Sequence, residues 1–86
     1  MDTTKPRRNY TVWREGDYAN PEVVPDVDPS DAATWFVWER APAFTTMDWT
    51  VHVIEGEGMG TPTPRHSYKI TGTLPFLEVV DVTGKV

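Results

Sequence analysis

Two histidines and a few carboxylates are the residues of this chain whose chemistry suits catalysis or metal binding. His52 and His66 are the only histidines, and Asp48 and Glu55 lie close to the first of them in sequence. Histidine titrates near neutral pH, but a zinc site needs three or four converging ligands. The spacing here matches no ligand motif. We therefore expect both histidines to be ordinary surface residues, with no metal site.

Motifs for nucleophilic catalysis and phosphate binding are missing as well. Ser30 and Ser67 lie in no nucleophile-elbow sequence, and the chain has no cysteine. The glycine-rich segment 56–60 lacks the Lys-Ser/Thr of a phosphate-binding loop, and the two glutamates at 55 and 57 would repel phosphate. The acids within 26–31 do not follow the pattern of a calcium loop. The sequence therefore predicts a non-enzymatic protein without a cofactor.

Aromatic residues are abundant and offer a different chemistry, that of recognition. The 86 residues include four Trp, three Tyr and three Phe, and a small core without disulfides needs several of them. Tyr and Trp also anchor protein interfaces. A small sheet cannot hide every one of these side chains, although simple core packing is the alternative for each. We predict partner-binding roles for Tyr10, Trp13, Tyr18, Trp35 and Trp38.

Charge is distributed unevenly along the chain, whose net charge is −5. Four basic residues lie within 1–14, whereas 15–31 holds six acids and no base. Such runs usually form a solvated surface. The alternative is that the basic end binds an anionic partner and the acidic run binds a basic one.

The segment 49–54, Trp-Thr-Val-His-Val-Ile, has the clearest strand pattern. Trp49, Val51 and Val53 fall on one face, whereas Thr50 and His52 fall on the other. The glycines that follow end the strand. We predict that this strand is central and paired on both sides.

Shorter alternating segments predict the other strands. They lie at 10–15, 66–71 and 76–82, and Gly72 marks a bend or bulge. The segment 34–40 is also rich in aromatic and β-branched residues, which favours a strand. A helix over 29–41 is the alternative, because Asp28-Pro29 is typical of a helix start.

Three prolines at a spacing of four, at positions 21, 25 and 29, favour a stiff and extended chain in the first third of the sequence. We predict an extended arm over 1–30, with a short strand near 10–15, and a small β domain over 31–86. The arm should be separable from that domain. The predicted class is mainly β: an antiparallel sheet, or a sandwich or barrel-like domain, of four to five strands with about one helical turn.

These patterns favour a small structural protein that docks on a larger or repetitive protein assembly through its arm and exposed aromatic residues. A virion decoration or minor capsid protein is the kind of protein expected. One alternative is an acidic inhibitor that mimics nucleic acid. Another is a single-strand nucleic-acid binder that uses Lys5, Arg7 and Arg8. The sequence lacks a secretion signal and an apolar membrane segment, so we expect a cytoplasmic or virion location and no membrane partner.

Overall fold

The computed structural model describes residues 7–41, 46–57, 64–74 and 76–84. Within them, one helix lies against one face of a five-stranded antiparallel sheet. The elements are β1 (Arg8–Arg14), β2 (Glu22–Asp26), α1 (Pro29–Arg40), β3 (Thr46–Glu55), β4 (His66–Thr73) and β5 (Phe76–Asp81). The order across the sheet is β2-β1-β3-β4-β5. The predicted mainly β, antiparallel class is confirmed.

Strand β3 occupies the centre of the sheet. It pairs with β1 through contacts such as Val12 with Val53, and with β4 through contacts such as Val51 with Tyr68. The prediction that 49–54 is paired on both sides is therefore confirmed. Its Val51 and Val53 side chains are fully buried beneath α1, as the period of two requires.

The core lies between α1 and one face of the sheet. Alternate residues of the strands point towards the helix. The helix buries two alanines, a phenylalanine and a valine against them, and the small alanines let the two layers approach closely. Its buried members are Tyr10, Val12, Val24, Ala32, Ala33, Phe36, Val37, Met47, Val51, Val53, Tyr68, Ile70 and Leu74.

The strand predicted over 34–40 is wrong, because this segment belongs to α1. The helix starts at its N-cap, Asp28, whose carboxylate accepts a hydrogen bond from the Asp31 N–H at 2.9 Å. Pro29 fills the first position, where its missing N–H costs nothing. Packing of Phe36 and Val37 against the sheet outweighs their β propensity. The helix is thus 12 residues long rather than about one turn.

Within the described residues the segment predicted as an arm over 1–30 is part of the sheet: the short strand predicted near 10–15 is found as β1, and β1 and β2 are both integral strands. Tyr10, Val12 and Val24 are core residues contributed by this segment, so it is not separable from the rest. Pro25 is tolerated because β2 is an edge strand, where one backbone N–H can be dispensed with. Residues 1–6 of the predicted arm lie outside the described residues.

Gly72 sits where β4 turns into β5, across from Leu77. Its φ of 123° is one that residues with a side chain rarely adopt. A Cβ at this position would overlap the carbonyl oxygen of Phe76. Gly72, which was predicted to mark a bend, therefore permits the backbone of β5 at Phe76 to approach that of β4 closely. Of the glycine-rich segment 56–60, only Gly56 and Glu57 are described.

Candidate functional site

The sheet face opposite α1 carries a row of hydrogen-bonded side chains that joins three parts of the chain. His52 on β3 lies between Glu15, which follows β1, and Ser67 on β4. Its Nε2 is 3.0 Å from Glu15 Oε1, and its Nδ1 is 2.8 Å from Ser67 Oγ. A carboxylate can only accept, so Nε2 donates to Glu15 Oε1, and Nδ1 forms the hydrogen bond with the Ser67 hydroxyl.

This order of groups is that of a Ser–His–acid triad, yet the surroundings do not suit catalysis. The Ser67 residue is only 4% exposed, so a substrate carbonyl cannot approach its oxygen. Its backbone N–H donates to Thr83 Oγ1 at 3.0 Å and is not available to an oxyanion. No pocket opens in the part of the chain that the structure describes. The row instead cross-links neighbouring segments of the sheet.

His52 was expected at the surface, and that prediction is wrong, since the residue is 2% exposed. The period-two pattern assigned His52 to a polar face of the sheet. The centre of that face is buried, however, and it includes Thr11 and Ile54. His52 is buried because it pairs with Trp13 across β1 and β3, and the pattern of a single strand does not reveal that pairing. His66 is half-buried and stacks on Tyr68.

Tyr10 and Trp13, two predicted partner-binding residues, are buried in the free chain at 4% and 3% exposure. Tyr10 belongs to the core beneath α1. Trp13 lies on the opposite face, with its ring 5.7 Å from that of His52. Among the described residues its Nε1 has no hydrogen-bond partner. Neither side chain is presented at the surface, because both are used to hold β1 in place.

Trp35 and Trp38 lie on the outer face of α1 and are 44% and 50% exposed. They are three residues apart, a spacing that makes side chains neighbours on a helix surface. The buried face of the helix, which includes Phe36 and Val37, points the other way. The structure therefore brings these two predicted residues together, and we call the pair the tryptophan ridge.

The C-terminal end of α1, which carries the tryptophan ridge, is held by Arg40. Its guanidinium lies over the Phe36 ring at 4.3 Å and forms an ion pair with Glu22 at 3.1 Å. It also donates to the carbonyl oxygen of Asn20 at 2.9 Å. Tyr18, which is 57% exposed, lies in the same β1–β2 connection as Asn20. The helix end is thus braced against that connection.

Most of the acidic residues within 15–31 form hydrogen bonds with other groups of the fold. Asp28 caps α1, and the hydrogen bond from the Asp31 N–H holds the pKa of its carboxyl below the usual 3.8. Glu22 pairs with Arg40, and Asp26 accepts from the Val27 N–H. The carboxylates of Glu15, Asp17, Glu22, Asp26 and Asp28 each accept a hydrogen bond. The acidic run therefore has structural uses.

The basic residues near the N-terminus are also tied to the fold. Arg8 pairs with Glu55 at 3.1 Å, and Arg7 donates to the carbonyl oxygen of Pro25 at 3.3 Å. Lys5 lies outside the described residues. Because Tyr10 and Trp13 are buried, they offer no face on which bases could stack.

Comparison with known proteins returns no match, either to a family model, to a curated protein or to a solved structure. Within the described ranges, no three histidine, cysteine or acidic residues are grouped so as to hold a metal ion. The one helix found there is too short and too polar to cross a membrane. The tryptophan ridge is the candidate functional site.

Proposed function

We propose that this protein is a non-enzymatic docking protein that binds a larger protein assembly through the tryptophan ridge of α1. The observation that carries the proposal is the exposure of Trp35 and Trp38, close to one half each, on the outer face of the helix. A small domain gains stability by burying its large aromatic side chains. Leaving two of them in water is a cost that a binding role explains.

The energetics of association favour such a ridge. Tryptophan is among the residues most enriched at interface hot spots, where truncation typically costs about 2 kcal/mol or more. Binding also costs free energy when flexible groups become ordered. Here the helix is capped by Asp28 and braced by Arg40, so its backbone is already held before any partner arrives.

The partner chemistry follows from what surrounds the ridge. Asp31 and Glu39 are exposed on the same helix, and the chain as a whole has a net charge of −5. A complementary surface would be an apolar groove with basic residues at its rim. A repetitive assembly such as a virion shell, decorated by this protein as a minor component, is the kind of partner we propose.

Docking by aromatic residues and mimicry of nucleic acid by acids differ in their response to salt. At 0.5 M salt the screening length falls to about 4–5 Å, which weakens an interface built on surface charge but leaves an apolar one in place. Asp28, Glu22 and Glu15 accept hydrogen bonds from other parts of the fold. The acids therefore have a structural role, which favours docking over mimicry of nucleic acid.

The test is to isolate tagged protein with its native partner at 0.15 and 0.5 M salt, and to determine the mass of the complex. We expect the double variant Trp35→Ala/Trp38→Ala to lose the partner while its circular dichroism spectrum is retained. Val23→Ala is the control, because Val23 is as exposed as Trp35, at 44%, and belongs to β2 rather than to α1.

Retention of the partner by the double tryptophan variant would refute the proposal. So would loss of the partner from the wild-type protein at 0.5 M salt, because that result would assign the binding to surface charge.

A further inference from the structure

Strand β5 is the last strand of the sheet, and among the described residues no strand pairs with its outer side. Val82 N–H donates to the Ser67 carbonyl oxygen at 2.9 Å, which identifies Ser67 and Val82 as a hydrogen-bonded pair. Such pairs alternate along an antiparallel ladder. The backbone groups of Leu77 and Val79 therefore point away from β4, towards the open edge.

Strand β5 carries apolar side chains on both faces of the sheet, alongside Glu78 and Asp81. Phe76 and Val80 are 82% and 46% exposed on the face opposite α1. Leu77 and Val79 pack against the core on the helix side and remain partly exposed. A strand added along this edge would receive backbone hydrogen bonds and cover apolar side chains above and below.

The other edge of the sheet is protected. Strand β2 contains Pro25, which cannot donate a backbone hydrogen bond, and α1 packs beside it. Its Glu22 is paired with Arg40 of the helix. Among the described strands one outer edge is therefore open and the other is blocked, so edge-to-edge association between copies of this chain closes at two subunits rather than growing into a fibre.

We infer that β5 pairs with β5 of a second copy of this chain, in an antiparallel register centred on Val79. A two-fold axis perpendicular to the sheet puts the helix-bearing faces of the two copies on the same side. Leu77, Val79 and Asp81, whose backbone groups point to the open edge, therefore pair with the same three residues of the second copy. Centring on Val79 places Glu78 opposite Val80 of the second copy. A centre at Glu78 would set two carboxylates directly opposite each other, which is destabilising, and a centre at Val80 would pair a shorter length of β5 because the strand ends at Asp81.

This dimer would place both α1 helices on one face of a ten-stranded sheet, so that two tryptophan ridges point the same way. The inference does not rest on the proposed docking function, because it concerns strand β5 rather than helix α1. If both hold, the pair of ridges would bind a repetitive surface bivalently, which raises the apparent affinity without any new contact.

Sedimentation equilibrium of the full chain tests the inference. We expect a dimer with a Kd at or below about 0.1 mM. Val79→Pro should be monomeric with an unchanged circular dichroism spectrum, because the N–H it removes points away from β4 while its ring blocks an incoming strand. A wild-type monomer at about 1 mM overturns the inference, even if a different protein is later found at this edge.

Charge substitutions at Val80 test the register and remain informative if Val79→Pro fails to fold. In the proposed register residue 80 faces Glu78 of the second copy. We therefore expect Val80→Glu to dimerise at least about tenfold more weakly than Val80→Lys. Within one chain residue 80 lies across from Lys69, whose charge offsets the repulsion between a glutamate at 80 and Glu78, and an unchanged circular dichroism spectrum of Val80→Glu checks that the variant is folded.

Val23→Lys and Val23→Glu provide the matched controls. Val23 is 44% exposed on the protected edge strand, and these substitutions change the net charge by the same amounts. We expect them to dimerise with affinities equal within about threefold. Equal dimerisation of the two Val80 variants, or a difference at Val23 as large as that at Val80, would overturn the register.

Discussion

Replacing His52 by alanine should destabilise the fold more than removing either of its hydrogen-bonding partners. The ring lies between Glu15 and Ser67 and is itself 2% exposed. Its loss breaks both hydrogen bonds, removes a ring packed 5.7 Å from that of Trp13, and leaves the hydroxyl of Ser67 without its partner.

The size of the effect follows from the burial of each group. An unsatisfied buried hydroxyl costs about 1–3 kcal/mol, and the lost aromatic contact with Trp13 about 0.5–1.5 kcal/mol. The Glu15 side chain is 48% exposed, so its ion pair contributes only about 0–1 kcal/mol after screening by solvent. We expect His52→Ala to cost about 3–4 kcal/mol in total, Ser67→Ala about 1–3 kcal/mol and Glu15→Ala less than about 1 kcal/mol.

Urea denaturation followed by tryptophan fluorescence measures these free energies of unfolding. A double-mutant cycle between His52 and Ser67 should give a coupling energy of about 1 kcal/mol. A cost below about 1 kcal/mol for His52→Ala, or a larger cost for Glu15→Ala than for Ser67→Ala, would refute the structural role argued for this row. Hydrolysis of an activated ester that depends on Ser67 would refute it too, in favour of catalysis.

Two further predictions concern the backbone and pH. Gly72→Ala should cost at least about 1 kcal/mol more than Gly16→Ala in urea denaturation, since both glycines have positive φ but only Gly72 faces backbone where a Cβ would lie; equal costs would contradict this. Asp28→Ala should cost about 1 kcal/mol at pH 7. Because the folded-state pKa of Asp28 is lowered, its contribution exists above the usual 3.8 and is lost as pH falls through the folded value; a difference from wild type that persists at about pH 2 would contradict the capping role.

The central strand was predictable because its pattern is local. Alternation of Val51 and Val53 with His52 needs only the geometry of one extended segment. The location of His52 was not predictable in the same way. Its burial depends on which residues of β1 and β4 lie beside it, and single-strand patterns do not contain that register.

The helix and the first third of the chain show competition between local and tertiary effects. Residues 34–40 have the composition of a strand, but the Asp28 cap and the packing of Phe36 under the sheet decide in favour of α1. Proline spacing indicated an arm, whereas Pro25 is accommodated in an edge strand. Composition could not distinguish a free extended segment from one paired at the end of a sheet.

The predicted partner-binding residues divide according to the elements that carry them. Trp35, Trp38 and Tyr18 are exposed, whereas Tyr10 and Trp13 are buried by the pairing of β1 with its neighbours. The sequence indicated that the aromatic residues are too many for the core alone. It could not say which of them remain outside, because that depends on the pairing of β1 with its neighbours and on the rotation of α1 against the sheet.

Hydroxyl-radical footprinting of the native complex, with oxidation of each tryptophan measured by mass spectrometry, tests the docking claim most directly. Trp13 provides an internal reference, because it is 3% exposed in the free chain and should react little in either state. We expect Trp35 and Trp38 to react readily in the free protein and to become protected when the partner is bound, as docking through the tryptophan ridge requires. Unchanged oxidation of both residues in a complex whose mass shows the partner to be present would contradict it.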